Sequence, residues 1–137
     1  MATALITGFT GQVGSQMADF LLDKTDYNVI GMMRWQESMD NIYHLNDRIN
    51  KNDRISVFYA DLNDYSSLQR LFECKKPDFI FHLAAQSFPK TSFHIPIETL
   101  QTNIIGTANI LENIRILKQK DGYNPIVHIC SSSEVYG

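Results

Sequence analysis

The 137-residue chain carries 44% hydrophobic and 20% charged residues with a formal net charge of −3, the profile of one globular domain with its own core. That charge, with both signs alternating through the middle of the chain, excludes the basic face that a nucleic acid or an anionic membrane surface would require. No run of about 18 apolar residues offers a membrane span, no basic-then-apolar leader opens the sequence, and Cys74 and Cys130 stand far apart with no CxxC and no His at metal-ligand spacing, so a cytoplasmic protein with reduced thiols and no metal is expected.

Taken in order, the chain begins with the apolar run Ala4-Leu5-Ile6, which leads into Thr7-Gly8-Phe9-Thr10-Gly11-Gln12-Val13-Gly14 and then into a helical pattern. Strand, glycine turn and helix in that order describe a dinucleotide-binding βα unit. Gly8 and Gly11 let the backbone approach a pyrophosphate, and Gly14 lets the helix lie close to the strand. Free amides of the first helical turn, aided by the helix dipole, then face the phosphates. Thr10, Gln12 and Val13 lie on the same turn and join the three glycines as cofactor-binding candidates. An ordinary tight βα turn is the plain alternative, and the GxxGxxG spacing is one residue longer in its first step than the fingerprint of most dehydrogenases.

Met17, Phe20, Leu21 and Leu22 follow at helical spacing, with an end expected near Lys24. Val29 to Met33 reads as a second strand buried on both faces. About 20 residues beyond the glycines, folds selective for NAD carry an acid that bonds the ribose 2′-hydroxyl. Here the strand ends in Met32-Met33-Arg34-Trp35 instead. Arg34 is suited to a 2′-phosphate, which favours NADP with NAD as the alternative, and Trp35 to a place beside the adenine; a solvated surface arginine is the competing reading.

Between 36 and 54, Ile42, Tyr43, Leu45 and Ile49 among polar residues suggest a short amphipathic helix. Ile55 to Tyr59 reads as a third strand stopping at Ala60-Asp61-Leu62-Asn63, with Asp64 as N-cap of a helix carrying Leu68, Leu71 and Phe72. Open α/β sheets bind ligands at the carboxyl ends of their strands, so Asp61 and Leu62 are candidates to hold the adenine, against a loop acid that caps local amides. Pro77 stops the helix, and Phe79 to Leu83 gives a fourth strand that runs into Ala84-Ala85-Gln86-Ser87, where small residues permit close backbone approach. Leu83, Ala84 and Ala85 are assigned to the cofactor, Gln86 and Ser87 to the substrate.

Pro96 is placed in the first turn of a long helix. Leu100, Ile104, Ala108, Leu111 and Arg115 mark one face and Ile97, Ile105, Ile110 and Ile114 broaden it, so that helix is expected to be largely buried. Asn103, polar in this apolar stretch, must find hydrogen-bond partners. Composition alone favours a structural role, and substrate contact is the other assignment. After the turn Asp121 to Pro125, Ile126 to Cys130 forms a fifth strand that ends in Ser131-Ser132-Ser133-Glu134-Val135-Tyr136-Gly137. The repeated βα pattern predicts a parallel sheet of order 3-2-1-4-5 with the fifth strand at an edge. Such sheets usually continue, so the chain reads as truncated after the fifth strand.

With TGFTGQVG, ADL, HLAAQS, TNIIGT and SSSEVYG in order, the whole chain resembles the extended branch of the short-chain dehydrogenase/reductase superfamily. Within it, MMRW, NIYHL, LAAQS, Ser92-Phe93 and the Ser-Ser-Glu before Val-Tyr-Gly are most similar to GDP-mannose 4,6-dehydratases. The resemblance implies an α/β, doubly wound parallel sheet of Rossmann type, with residues 1–137 forming one dinucleotide-binding domain. It also implies NADP as cofactor, a nucleotide sugar such as GDP-mannose as substrate, and a homo-oligomeric full-length protein.

In that family a hydride leaves sugar C4 for the nicotinamide, a base removes the C5 proton, water leaves C6 and the hydride returns to C6. The resemblance gives Ser132 the C4 hydroxyl and makes Glu134 the C5 base or the acid assisting water loss. Ser133 stands where some sugar dehydratases carry a catalytic Asp. A Ser-rich strand end with a Glu is also a plain helix N-terminus. Departures are visible: the family usually has an acid where Val13 stands and a second arginine where Trp35 stands, and Thr99 to Asn103 looks more like the GDP-4-keto-6-deoxymannose reductases. None of Tyr27, Tyr43, Tyr59, Tyr65 or Tyr123 has the Lys four residues on that the superfamily's YxxxK requires. A reductase or epimerase on the same scaffold is therefore the alternative, and a nonenzymatic NAD(P) sensor the alternative of another class; Glu134 argues against the sensor, since binding a dinucleotide needs no carboxylate there.

Overall fold

Successive residues of the central strands are buried on opposite faces of one sheet, which is why the sequence shows apolar runs there instead of alternation. The structure, a computed structural model, describes residues 1–136. Its strands are β1 (Thr3–Thr7), β2 (Asn28–Met33), β3 (Ile55–Tyr59), β4 (Phe79–His82) and β5 (Ile126–Ile129). All pair in parallel in the order β3-β2-β1-β4-β5, as the βα repeat predicts.

Between the strands lie α1 (Gln12–Lys24), a 3₁₀ turn (Asp40–Leu45) with α2 (Asn46–Asn50), and α3 (Tyr65–Lys75). After β4 come α4 (Pro89–His94), α5 (Pro96–Leu100), a π-helical turn (Gln101–Ile105) and α6 (Gly106–Asp121). Leu5, Ile30, Met32 and Ile80 meet Leu68, Leu71 and Phe72 of α3 and Ile110 and Leu117 of α6 on one face. Ala4, Ile6, Val29 and Ile55 meet Ala18, Leu21 and Leu22 of α1 and Ile42 and Leu45 of the 3₁₀ turn on the other. The sheet is therefore doubly wound, with a separate core on each face. Asp64 caps α3 as expected, its side chain accepting from the Ser66 amide.

Two expectations need correction. The segment between 36 and 54 is a 3₁₀ turn followed by one short helix, burying Ile42 and Leu45 while Tyr43 stays exposed. The long helix after Pro96 is not largely buried: α6 buries Gly106, Ile110, Asn113 and Leu117, whereas Ile97, Leu100 and Ile104 are 67%, 52% and 58% exposed. A helix laid on a sheet covers only the stripe facing it, and the wider π turn shifts that stripe between Leu100 and Gly106. At the edge of the sheet Ile126 and Ile129 of β5 are exposed. Among the described residues no helix is long and apolar enough to cross a membrane.

Candidate functional site

The turn after β1 is built on two close approaches. Gly8 has φ +68°, and a Cβ on it would lie 2.9 Å from the Ala84 backbone; a Cβ on Gly14 would lie 2.1 Å from the Gly8 carbonyl oxygen. Gly11 closes the turn by donating its amide to that oxygen at 3.0 Å. Gly11 is also the N-cap of α1 and makes no side-chain cap, so the first amides of α1 have no partner within the helix. They open onto a cleft of about 550 Å³ at the carboxyl edge of the sheet. A helix N-terminus with free amides and no Cβ in the way is an anion-binding cradle.

Of the residues assigned to the cofactor, Gly8, Thr10, Gly11, Gln12, Val13, Gly14, Arg34, Asp61, Leu62, Leu83, Ala84 and Ala85 line this cleft, whereas Trp35, expected beside the adenine, lines a separate recess with Arg34 and Tyr59. Gln86 and Ser87 line the cleft too. The carboxylate of Asp61 accepts from the Asn63 amide at 2.8 Å, the local capping that competed with adenine contact on sequence grounds. Asn103 does not line the cleft; its side-chain amide accepts from Gln86 N at 2.8 Å and donates to Gln86 O at 2.9 Å, so it clamps the backbone of a residue that does. Sequence reasoning passed over Met32, Met33, Glu37, Asn63, Phe88, Glu98 and Thr102, which complete the lining. Glu98 accepts from Thr102 at 3.1 Å through Oε1, while its buried Oε2 has no partner among the described residues. An acid within a few residues of Arg34 was the one available signal for Glu37.

Behind the cleft runs a buried polar chain. Thr7 Oγ1 accepts from the amides of Leu83 and Ala84 at 3.2 and 3.1 Å and lies 2.7 Å from His82 Nδ1. His82 Nε2 lies 2.9 Å from Thr107 Oγ1, which donates to the Asn103 carbonyl at 2.8 Å. His82 is 4% exposed, and burial pushes its pKa below the ordinary histidine value. The chain ties the glycine turn, the strand end that delivers Leu83 and Ala84, and the π turn into one unit.

Ser132, Ser133 and Glu134 lie apart from that lining, exposed, at a 3₁₀ turn (Ser133–Tyr136) following β5. Ser133 Oγ donates to Glu134 Oε1 at 3.1 Å and the Glu134 amide donates to Ser132 Oγ at 3.1 Å. Gly137, which closes this motif, lies outside the described residues. Among the described residues no group of three or more His, Cys, Asp or Glu side chains could hold a metal ion.

Residues 5–137 match the model of a family described as GDP-mannose 4,6 dehydratase. A GDP-mannose 4,6 dehydratase from Drosophila melanogaster is 40% identical over 98% of this chain and 34% of its own length. A GDP-mannose 4,6-dehydratase from Yersinia enterocolitica is 40% identical over 100% of this chain and 37% of its own. Among solved structures, the complex of Thermus thermophilus UDP-glucose 4-epimerase with NAD is 26% identical with a TM-score of 0.64, over 83% of this chain and 34% of that one. The chain spans about a third of the length of the curated relatives it matches.

Proposed function

The chain belongs to the GDP-mannose 4,6 dehydratase family, and from that premise we propose that it is the nucleotide-binding part of a nucleotide-sugar 4,6-dehydratase that uses NADP and acts on GDP-mannose. The observation that carries the reading is the cradle of Gly8, Gly11 and Gly14 at the start of α1, where side chains would collide with backbone and amides are free. In this reading the amides of Gln12, Val13 and Gly14 hold the pyrophosphate. Asp61 and Leu62 hold the adenine, Arg34 takes the 2′-phosphate, and Leu83 to Ala85 run along the remainder of the cofactor. The bound dinucleotide supplies the hydride acceptor and donor for sugar C4 and C6.

Gln86, Ser87 and Asn103 are assigned to the sugar nucleotide, Asn103 through its hold on the Gln86 backbone. Ser132 bonds the C4 hydroxyl and Glu134 handles the C5 proton, with Ser133 beside them. Support for this placement is topological: β4 and β5 are parallel neighbours, so the segments leaving them emerge at the same carboxyl edge. The same reading makes the intact protein a cytoplasmic homo-oligomer; light scattering of the purified protein checks the oligomeric state and fractionation of the cells that make it checks the location. Incubating the intact protein with GDP-mannose and catalytic NADP tests the function, and the 4-keto-6-deoxy product is expected. An epimer, or a product formed only with stoichiometric NADPH, would instead assign the chain to an epimerase or reductase; cofactor binding with no sugar chemistry would make it a sensor.

A further inference from the structure

The chain lacks an acid at the end of β2, where NAD-selective folds carry one, yet a carboxylate reaches that place from outside the strand. Arg34, Trp35, Gln36 and Glu37 form a tight turn closed by the Glu37 amide donating to the Arg34 carbonyl at 3.3 Å. Gln36 takes φ +62°, the conformation that the third residue of such a turn usually leaves to glycine or asparagine. Strain of this kind persists where the surroundings hold it and gathers at ligand clamps. Here the turn folds Glu37 back over Arg34. Glu37 Oε2 accepts from the Arg34 backbone amide at 3.0 Å, and Oε1 accepts from the Arg34 guanidinium at 3.2 Å.

The two partners are held unequally. The Glu37 side chain is 24% exposed and anchored by a backbone amide, whereas the Arg34 side chain is 61% exposed and, among the described residues, anchored only by Glu37. Both line the cleft. The other charged groups near the pair are Asp61, Asp64 and Arg70, which share with it a side recess of about 420 Å³. Asp61 and Asp64 are already engaged as caps of local amides. Glu37 is thus the acid positioned to respond to what Arg34 binds.

We infer that Glu37 sets the choice between NADP and NAD, its carboxylate competing with a 2′-phosphate for Arg34 and accepting from the ribose hydroxyls when no phosphate is present. The inference rests on the reading of the cleft as a dinucleotide site. A 2′-phosphate brings a charge approaching −2 next to a pair whose net charge is zero, so it must either displace the carboxylate from Arg34 or sit beside it, and both weaken NADP binding. The free ribose meets no such cost and gains an acceptor. Selectivity for NADP is consequently narrower than an unpaired arginine would give.

Calorimetric titration of NADP and NAD into the intact wild-type protein and Glu37→Gln tests this. The amide of glutamine still accepts from Arg34 N, so the turn is kept while the charge is removed. The NADP preference is expected to widen roughly tenfold, about 1.4 kcal/mol, with NADP tighter and NAD weaker. Glu37→Ser, too short to reach the guanidinium, must move the preference in the same direction. A preference unchanged in either variant, or both affinities shifting together, overturns the inference while leaving the dinucleotide site standing. Wild-type protein that binds neither cofactor overturns the dinucleotide reading and this inference with it.

Discussion

Thr7 and His82, 75 residues apart in sequence, share a 2.7 Å hydrogen bond in the core, and its direction is determined by the atoms around it. The Thr7 hydroxyl oxygen already accepts two backbone amides, so its own proton goes to His82 Nδ1. That makes His82 the neutral tautomer with hydrogen on Nε2, which donates to Thr107; Thr107 in turn donates to Asn103 O. Each donor in the chain has one acceptor and the imidazole has no room for a second proton.

Acid should therefore weaken the fold through His82. Burial lowers its folded pKa below the unfolded value near 6.5, so the unfolded chain binds more protons in that window and stability decreases as the pH is lowered. The contribution is complete above about 6.5 and is lost as pH drops through the lower folded pKa. Urea unfolding of wild type and His82→Gln across this range measures it. The difference in slope between the two isolates the imidazole from the carboxylates, and parallel curves would mean that His82 is not the group responsible.

Removing the Thr7 hydroxyl should cost more than removing a methyl. Thr7→Val orphans the amides of Leu83 and Ala84 and His82 Nδ1 at once, and each unsatisfied buried group costs about 1–3 kcal/mol. Thr7→Ser, which retains the oxygen, is expected to recover most of the loss. Equal denaturation midpoints for the valine and serine variants would contradict the network.

At Gly14 an added methyl has nowhere to go, since its position lies 2.1 Å from a backbone oxygen. Gly14→Ala should destabilise the chain by about 1–3 kcal/mol, as overpacking does, and weaken dinucleotide binding because α1 must move away from the turn. Thermal melts and a cofactor titration on the same preparation read both effects. Unaltered cofactor affinity would show that the first turn of α1 does not hold the phosphates.

Arg34→Ala is expected to reduce NADP affinity by roughly tenfold, the lower end of what a charge-assisted hydrogen bond contributes, because Glu37 already occupies the guanidinium. NAD affinity should change little. Matching NADP isotherms for the two proteins would remove Arg34 as the reader of the 2′-phosphate.

For the chemistry, Glu134→Gln in the intact protein is expected to reduce turnover by about 10²–10⁴ while cofactor binding persists, the loss that follows removal of a general base. Running the reaction in D₂O and following deuterium at C5 by NMR separates this from a structural role. A variant that incorporates deuterium at C5 at the wild-type rate is not missing its base.

Much of the fold is legible in the sequence, because the signals are local. The strand limits of β3, the Asp64 cap and the turn at Gly8 each follow from a few neighbouring residues, and short crossovers between parallel strands leave little choice of strand order. The burial of α6 was not legible, because apolar spacing reports a face without saying whether anything covers it, and because the π turn at Gln101–Ile105 breaks the 3.6-residue count. The companions of the glycine turn left no local trace at all. Thr7 meets His82, His82 meets Thr107 and Asn103 meets Gln86 only once sheet register and helix placement bring distant segments together. Glu37 is a nearer case: only three residues from Arg34, it faces the cleft because Gln36 adopts a positive φ, a conformation the tertiary structure imposed on a residue whose chemistry does not favour it.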